Sequence, residues 1–333
     1  MATFYDARGN IYGVISPEAL RGLGVKVPQS AALAAAERRQ WSADAVAAVC
    51  DWPQGGRPAG SKSHRSDGLL VGPFQDAAPF DVLIVNTDGT LAERSGNGLT
   101  IFSQSLSESG LLPSAETFTL RVHHDNHDAS TPVLTHVQPA TLDDITGFWL
   151  DIGAPHFGAE AAGAKGAGLS DTLLNGAQVN RVEPLARLHP DWHTSVFVRV
   201  GNPHCVTLVE NHDALPTFEQ LHETALNDSL TRIAFAEGEL GRGEPCPAGV
   251  NLQWAARLSP HQIVARVFER GEGPTASSGT SASAVACAAW LSGWVKAGPV
   301  EVVMPGGTAP IRLIEQAGEL TQVQLFGTAH RQR

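Results

Sequence analysis

The chain is short of positive charge. Of 333 residues only 23 are Lys or Arg, against 34 Asp and Glu, for a net charge of −11. No basic stripe gathers those cations, so binding to nucleic acid through its phosphates is not expected. Long apolar runs are also missing: no stretch of about eighteen apolar residues is available to span a membrane. The opening MATFYDARGN lacks the basic patch and apolar run of a secretory signal. Cysteine is scarce, and Cys50, Cys205, Cys246 and Cys287 form no CxxC pair. Neither a disulfide framework nor a zinc cluster is expected, and a reducing cytoplasmic setting fits. Histidines cluster once, at His123, His124 and His127. That cluster admits a metal site or a polar turn between two strands. The polar turn is the preferred reading, and no metal is assigned.

What is present suits two ordinary domains. Hydrophobic residues make up 42% of the chain and charged residues 17%, enough apolar material for substantial cores. Residues 30–50 are Ala-rich with apolar spacing of three and four, which predicts a helix. A loop rich in Gly, Pro and Ser follows to about residue 68. FDVLIV (80–85) reads as a strand, Ser95 opens a helix ending near Gly110, and FTLRV and VLTHV read as paired strands. Residues 158–190 are weakly patterned. VFVRV (196–200), LQWAARL and IVARVFE (263–269) read as strands, 213–225 as helical, and Ser278 opens a second small-residue helix to about Leu291. A hairpin around Pro305-Gly306-Gly307 and a last strand, TQVQLFG, close the chain. Many strands with few helices predict an α+β fold, not a doubly wound sheet.

The chain resembles itself. VLIVNTDGTLAERSGNG (82–98) can be laid on VARVFERGEGPTASSGT (264–280). Asn86 stands nine residues before Ser95, and Glu269 nine before Ser278. ARGNIYGV (7–14) echoes RVGNPHCVTLV (199–209), aligning Gly9-Asn10 with Gly201-Asn202. Two echoes in the same order predict a duplicated unit with pseudo-twofold symmetry. The repeated element ends in Ser-Gly at a helix start. Such a start leaves backbone N–H groups unpaired, carries partial positive charge, and with glycine admits a close ligand. Each Ser-Gly is therefore either a plain N-cap or an anion cradle. The repetition favours two cradles sharing one cleft, suited to a carboxylate. A nucleotide site is a lesser candidate, because GNGLT lacks the Lys of a P-loop and ERGEG is no GxGxxG fingerprint.

On these residues the chain resembles the diaminopimelate epimerases, isomerases that work without pyridoxal phosphate. NTDGTLAERSGNG resembles their segment leading into Cys-Gly-Asn-Gly, GNPHCV (201–206) their GNPH motif, and ERGEGPTASSGTSA their ERGxGET-x-ACGTG motif. FYDARGNIYGV and HRSDGLL (64–70) resemble the opening strand and the GADG loop. The resemblance covers nearly the whole chain. It implies two pseudo-symmetric lobes, each a strongly curved, mostly antiparallel sheet around a central helix. The lobes are expected at 1–145 and 146–320, with a last strand at about 321–333 returning to the first.

The resemblance also implies a small-molecule amino-acid substrate, no cofactor, and a place in amino-acid and lysine biosynthesis; a homodimer is one assembly left open. Asn10, Asn86, Asn202, Asn251, Glu269 and Arg270 match residues that surround the substrate. Arg270 would pair with its distal carboxylate, with Asn86, Asn202 and Asn251 adding hydrogen bonds. Gly96, Asn97, Gly279 and Thr280 would hold the α-carboxylate through backbone N–H groups. His204 and Glu269 would flank the two catalytic positions.

Those two positions depart from the family. Its acid–base pair is two cysteines; here Ser95 and Ser278 stand in their place, with Thr100 at the family's Arg and Pro274 at its GxGET Glu. A thiol has a pKa of about 8.5 and a serine hydroxyl is several units weaker, each unit worth about 1.4 kcal/mol. Three readings stay open: an isomerase working through Ser95 and Ser278; altered chemistry with His204 or Glu269 as the base for another isomerisation or an elimination; and an amino-acid-binding protein without turnover.

Overall fold

The computed structural model describes residues 1–112, 116–126, 130–166 and 168–332. It is sheet-dominated with few helices, the mixed α+β architecture expected. The chain divides into two compact units, Met1–Asp151 with Phe326–Arg333, and Ile152–Leu325.

Within the first unit, Thr3–Ala7 pairs antiparallel with Asn10–Ile15, which runs parallel to Gly68–Val71. Next come Phe80–Asn86 antiparallel, Phe118–Val122 parallel, then Val133–Leu142 and Ile145–Asp151, both antiparallel. The second unit repeats this order of strand directions. Ser195–Val200 and Asn202–Leu208 are antiparallel, Asn251–Ser259 is parallel, Gln262–Glu269 antiparallel, Gly298–Met304 parallel, and Gly307–Gln316 and Glu319–Gly327 antiparallel.

Parallel neighbours need long crossovers, usually helical, and each parallel step here has one. Gly96–Glu108 and Gly279–Leu291, both 13 residues, cross at the second parallel step of their units. Shorter helices between Pro17 and Val49, and between Phe218 and Ala234, cross at the first.

Strands between these helices are covered on both faces, which is why VLIV reads as an unbroken apolar run. Leu70, Val82 and Ile84 pack toward the central helix through Leu99 and Phe102, whereas Leu69, Val71, Leu83 and Val85 pack beneath the outer helices. In the second unit Val206, Ala265 and Val267 face inward, and Cys205, Trp254 and Phe268 outward. The helix GTSASAVACAAWL is buried almost all round. A helix enclosed on every side needs no polar face, and its small side chains let strands approach closely.

The expected helix over 30–50 is broken. Ala31–Ala36, a 3-10 turn at Arg38–Gln40, and Ser42–Val49 replace it. Two side-chain bonds hold the break: buried Trp41 donates from Nε1 back to the Ala34 carbonyl at 2.8 Å, and Ser42 Oγ donates across to the Gly89 carbonyl at 2.8 Å. The weakly patterned 158–190 contains a hairpin, Leu169–Leu174 with Ala177–Val182. It turns on Asn175 and Gly176, both at positive φ, the conformation that type I′ hairpins require. The helical signal at 213–225 resolves into Phe218–His222 and Thr224–Ala234.

Of the histidine cluster, His127 lies outside the described residues. His123 Nε2 meets Asp81 Oδ1 at 2.8 Å, and Arg121 donates to the same carboxylate at 2.6 and 2.7 Å. His124 is held by the Ser130 carbonyl and the Asn126 N–H. Burial pushes the Asp81 carboxyl up, but the bonds from Arg121 and His123 outweigh it and hold it below its usual range. A depressed carboxyl contributes stability above its unfolded pKa and loses it as pH falls through the folded value. Asp81→Ala should therefore cost about 2 kcal/mol at neutral pH, allowing for the partly exposed Arg121, and less at acid pH. Urea unfolding at the two pH values checks this.

Candidate active site

Both Gly-Asn echoes are hairpin corners. Gly9 and Gly201 sit at positive φ, 83° and 71°, where a side chain is strained. Asn10 and Asn202 begin the strands that follow. Two residues further on, each strand places a buried aromatic side chain, Tyr12 in the first unit and His204 in the second. Both residues are aligned with the neighbouring parallel strand, Tyr12 with Gly68 and His204 with Asn251.

Ser95 and Ser278 are both N-caps. Their backbones are extended, φ −145° and −142°, and each hydroxyl accepts from an N–H of the first helical turn. The first helical residues, Gly96 and Asn97 in one unit and Gly279 and Thr280 in the other, are the positions where N–H groups lie beyond the helix's own hydrogen bonds. The N-cap half of the expectation is what the structure shows. A Cβ at Gly279 would crowd the end of the Leu325 side chain. Thr100, at the family's Arg position, is buried and bonds back to the Gly96 carbonyl at 2.9 Å.

The two serines differ in their remaining partners. Ser278 Oγ donates to Glu269 Oε1 at 2.7 Å, and Thr275 Oγ1 donates to Glu269 Oε2 at 3.1 Å. Burial raises the Glu269 carboxyl above its ordinary value; the Ser278 bond opposes this, Glu272 adds to it, and Thr275 opposes it. In the first unit the residue nine before the serine is Asn86, an amide that donates to Thr90 Oγ1 at 2.9 Å. Ser95 Oγ instead lies 3.4 Å from the Tyr12 hydroxyl.

His204 lies in a different setting from Glu269. It is fully buried, and burial, with the nearby Arg270 and Arg199 cations, pulls its pKa down to about 3 against the opposing Val200 backbone. Its Nδ1 accepts from Gln253 Nε2 at 3.0 Å, so the ring is neutral with its proton on Nε2. It makes no hydrogen bond to Ser278. Gln253 also donates to Ser281 Oγ at 3.1 Å, tying His204 to the first turn of the central helix.

Asn251, also buried, accepts from the Arg270 backbone N–H at 2.9 Å. The Arg270 side chain donates to the Ala248 carbonyl at 3.1 Å and borders an open cavity of about 450 Å³ with Phe235, Glu239 and Leu240. Thr275, which follows Pro274 within the ERGxGET-like segment, and Gln253, which lies in no motif, were not among the expected site residues. Nor was Tyr12, whose spacing after Gly9-Asn10 matches that of His204 after Gly201-Asn202.

None of the four cysteines stands in for a lost thiol. All are buried and unbridged, and burial pushes each thiol up, Cys246 to about 12.

A family model described as diaminopimelate epimerase matches residues 196–330. Diaminopimelate epimerase 2 of Nostoc sp. is 30% identical over 254 residues, 74% of either chain. The diaminopimelate epimerase of Desulfitobacterium hafniense is 29% identical over 265 residues, 79% of either chain. Among solved structures, a PhzF-family phenazine biosynthesis protein from Bacillus anthracis superposes with a TM-score of 0.56 at 14% identity, covering 100% of this chain and 96% of the other. A hydroxyproline epimerase from Agrobacterium vitis gives 0.55 at 14%, covering 100% and 90%. These two likenesses concern the fold.

Fold and relatives together define an isomerase of the epimerase and racemase type. Within that class the chain belongs to the diaminopimelate epimerase family.

Proposed function

We propose that this chain moves a proton at the α-carbon of an amino acid with a second charged end, without pyridoxal phosphate, and that diaminopimelate is that amino acid. The observation carrying the reading is the 2.7 Å bond from Ser278 Oγ to Glu269 Oε1. A serine hydroxyl alone is too weak an acid to supply a base near pH 7. A carboxylate behind it changes this: as Ser278 Oγ takes the α-proton, its own proton passes to Glu269, and no free alkoxide forms. The raised Glu269 pKa brings that carboxylate closer to the operating pH.

The substrate's α-carboxylate is held by the N–H groups of Gly96, Asn97, Gly279 and Thr280. Arg270 takes the distal carboxylate, and Asn10, Asn86, Asn202 and Asn251 complete the polar surround. Ser95 returns a proton to the α-carbon. A second reading keeps Glu269 as the base but applies it to another carbon acid, since a carboxylate behind a serine is a different base from a thiolate.

The test is α-hydrogen exchange. In D2O with L,L- or meso-diaminopimelate, deuterium is expected at Cα. Calorimetric binding with no deuterium incorporated would sink diaminopimelate turnover and leave the second reading.

A further inference from the structure

We propose that Tyr12 is the proton-relay partner of Ser95, so that the two serines are unequal: Ser278 backed by a carboxylate, Ser95 by a phenol. The inference rests on the α-proton transfer proposed above. The Tyr12 hydroxyl lies 3.4 Å from Ser95 Oγ, whose other bond is from the Gly98 N–H at 3.0 Å. Tyr12 is buried, 7% exposed. Its ring occupies space that only glycine leaves open: a Cβ on Gly68 would lie 2.7 Å from Tyr12 Cε1 and 2.8 Å from the Val85 carbonyl. Strand pairing with Tyr5 on one side and Gly68 on the other fixes the ring's position.

The internal repeat sharpens the contrast. Tyr12 holds the place in its unit that His204 holds in the other, and Asn86 holds the place of Glu269. Asn86 is an amide and takes no proton at physiological pH. Within its own unit, among the described residues, the ionisable side chain beside Ser95 is Tyr12. A phenol has a pKa of about 10, near the thiol's 8.5 and well below a serine hydroxyl. As the Ser95 O–H bond breaks and a C–H bond forms at Cα, Oγ takes the Tyr12 proton, and the phenolate regains one from water. Ser95 is never left as an alkoxide. Tyr12 acts through Ser95.

The test separates exchange from inversion. Wild type and Tyr12→Phe are incubated with L,L- and meso-diaminopimelate in D2O, and Cα deuterium and configuration are read separately. Tyr12→Phe should lower inversion about 100-fold, while exchange with retention through Glu269 and Ser278 persists. In a Ser95→Cys background, where the thiol supplies its own labile proton, Tyr12→Phe should cost less than about threefold. Inversion by Tyr12→Phe at the wild-type rate overturns the proposal, as does an equal loss in both backgrounds, which marks a packing role. Wild-type protein that exchanges neither isomer overturns the proposed function and this inference with it, a result distinct from either of those.

Discussion

Replacing both Ser95 and Ser278 by Cys should raise conversion of L,L- to meso-diaminopimelate by about 100-fold or more. Each position caps a 13-residue helix. Helix N-termini lower thiol pKa values, so a thiol there is easily ionised near neutral pH. The two replacements should not contribute equally. Glu269, 2.7 Å from Ser278 Oγ, would repel a thiolate at that position, whereas Tyr12 beside Ser95 would donate to one. Ser95→Cys alone should therefore produce the more reactive thiol. Losing a serine cap costs about 1 kcal/mol at each helix, which a well-packed central helix withstands. The native cysteines do not confuse the readout, because all four are buried. Thiol labelling counts the new groups, and chiral chromatography of the product reads the rate. Unchanged turnover with both thiols titratable and binding intact would mean that diaminopimelate is not the substrate.

Glu269→Gln should lower α-exchange by about 100-fold or more and make the fold more stable at neutral pH. Gln keeps an acceptor for the Ser278 hydroxyl but cannot take its proton. The stability effect follows from the raised carboxyl pKa, caused chiefly by burial. A carboxyl raised in the folded state contributes fully below its unfolded pKa of about 4.3, and that contribution is lost as pH rises through the folded value. The glutamine has no such loss, so its advantage over the native chain should grow with pH. Native exchange should rise over the same range, since the carboxylate form is the base. Denaturant unfolding and exchange, each measured between about pH 4 and 8, test both halves. Wild-type exchange by Glu269→Gln would remove the carboxylate from the mechanism.

Local signals were read well where they were complete. Both central helices announce themselves through Ser-Gly starts, and the Gly-Asn hairpin corners through glycines that the structure places at positive φ. The unbroken apolar VLIV is a strand covered on both faces. One signal was present and overlooked: Asn175-Gly176, a strong hairpin dipeptide, lies between strands whose side chains are mostly exposed and carry little pattern. The Ala-rich 30–50 run departs from a single helix for another reason. Its propensity is helical throughout, but Trp41 bonds back to the nearby Ala34 carbonyl and Ser42 to the distant Gly89 carbonyl, and such bonds outweigh tenths of a kcal/mol of propensity.

Sequence by itself determined the duplicated plan, the two capped glycine-rich helix starts and the family, because all of these rest on residues close together in the chain. Which side chain lies beside each serine was decided only by the tertiary structure. Glu269 and His204 both stood as candidates. Strand register aligns His204 with Asn251, two residues from Gln253 on the adjacent strand, and the ring is buried as a neutral hydrogen-bond acceptor. The strand ending at Glu269 brings its carboxylate to Ser278, and the corresponding strand ends at an amide, leaving Ser95 to Tyr12. Register and burial set proton affinity, and neither is a property of neighbouring residues in the chain.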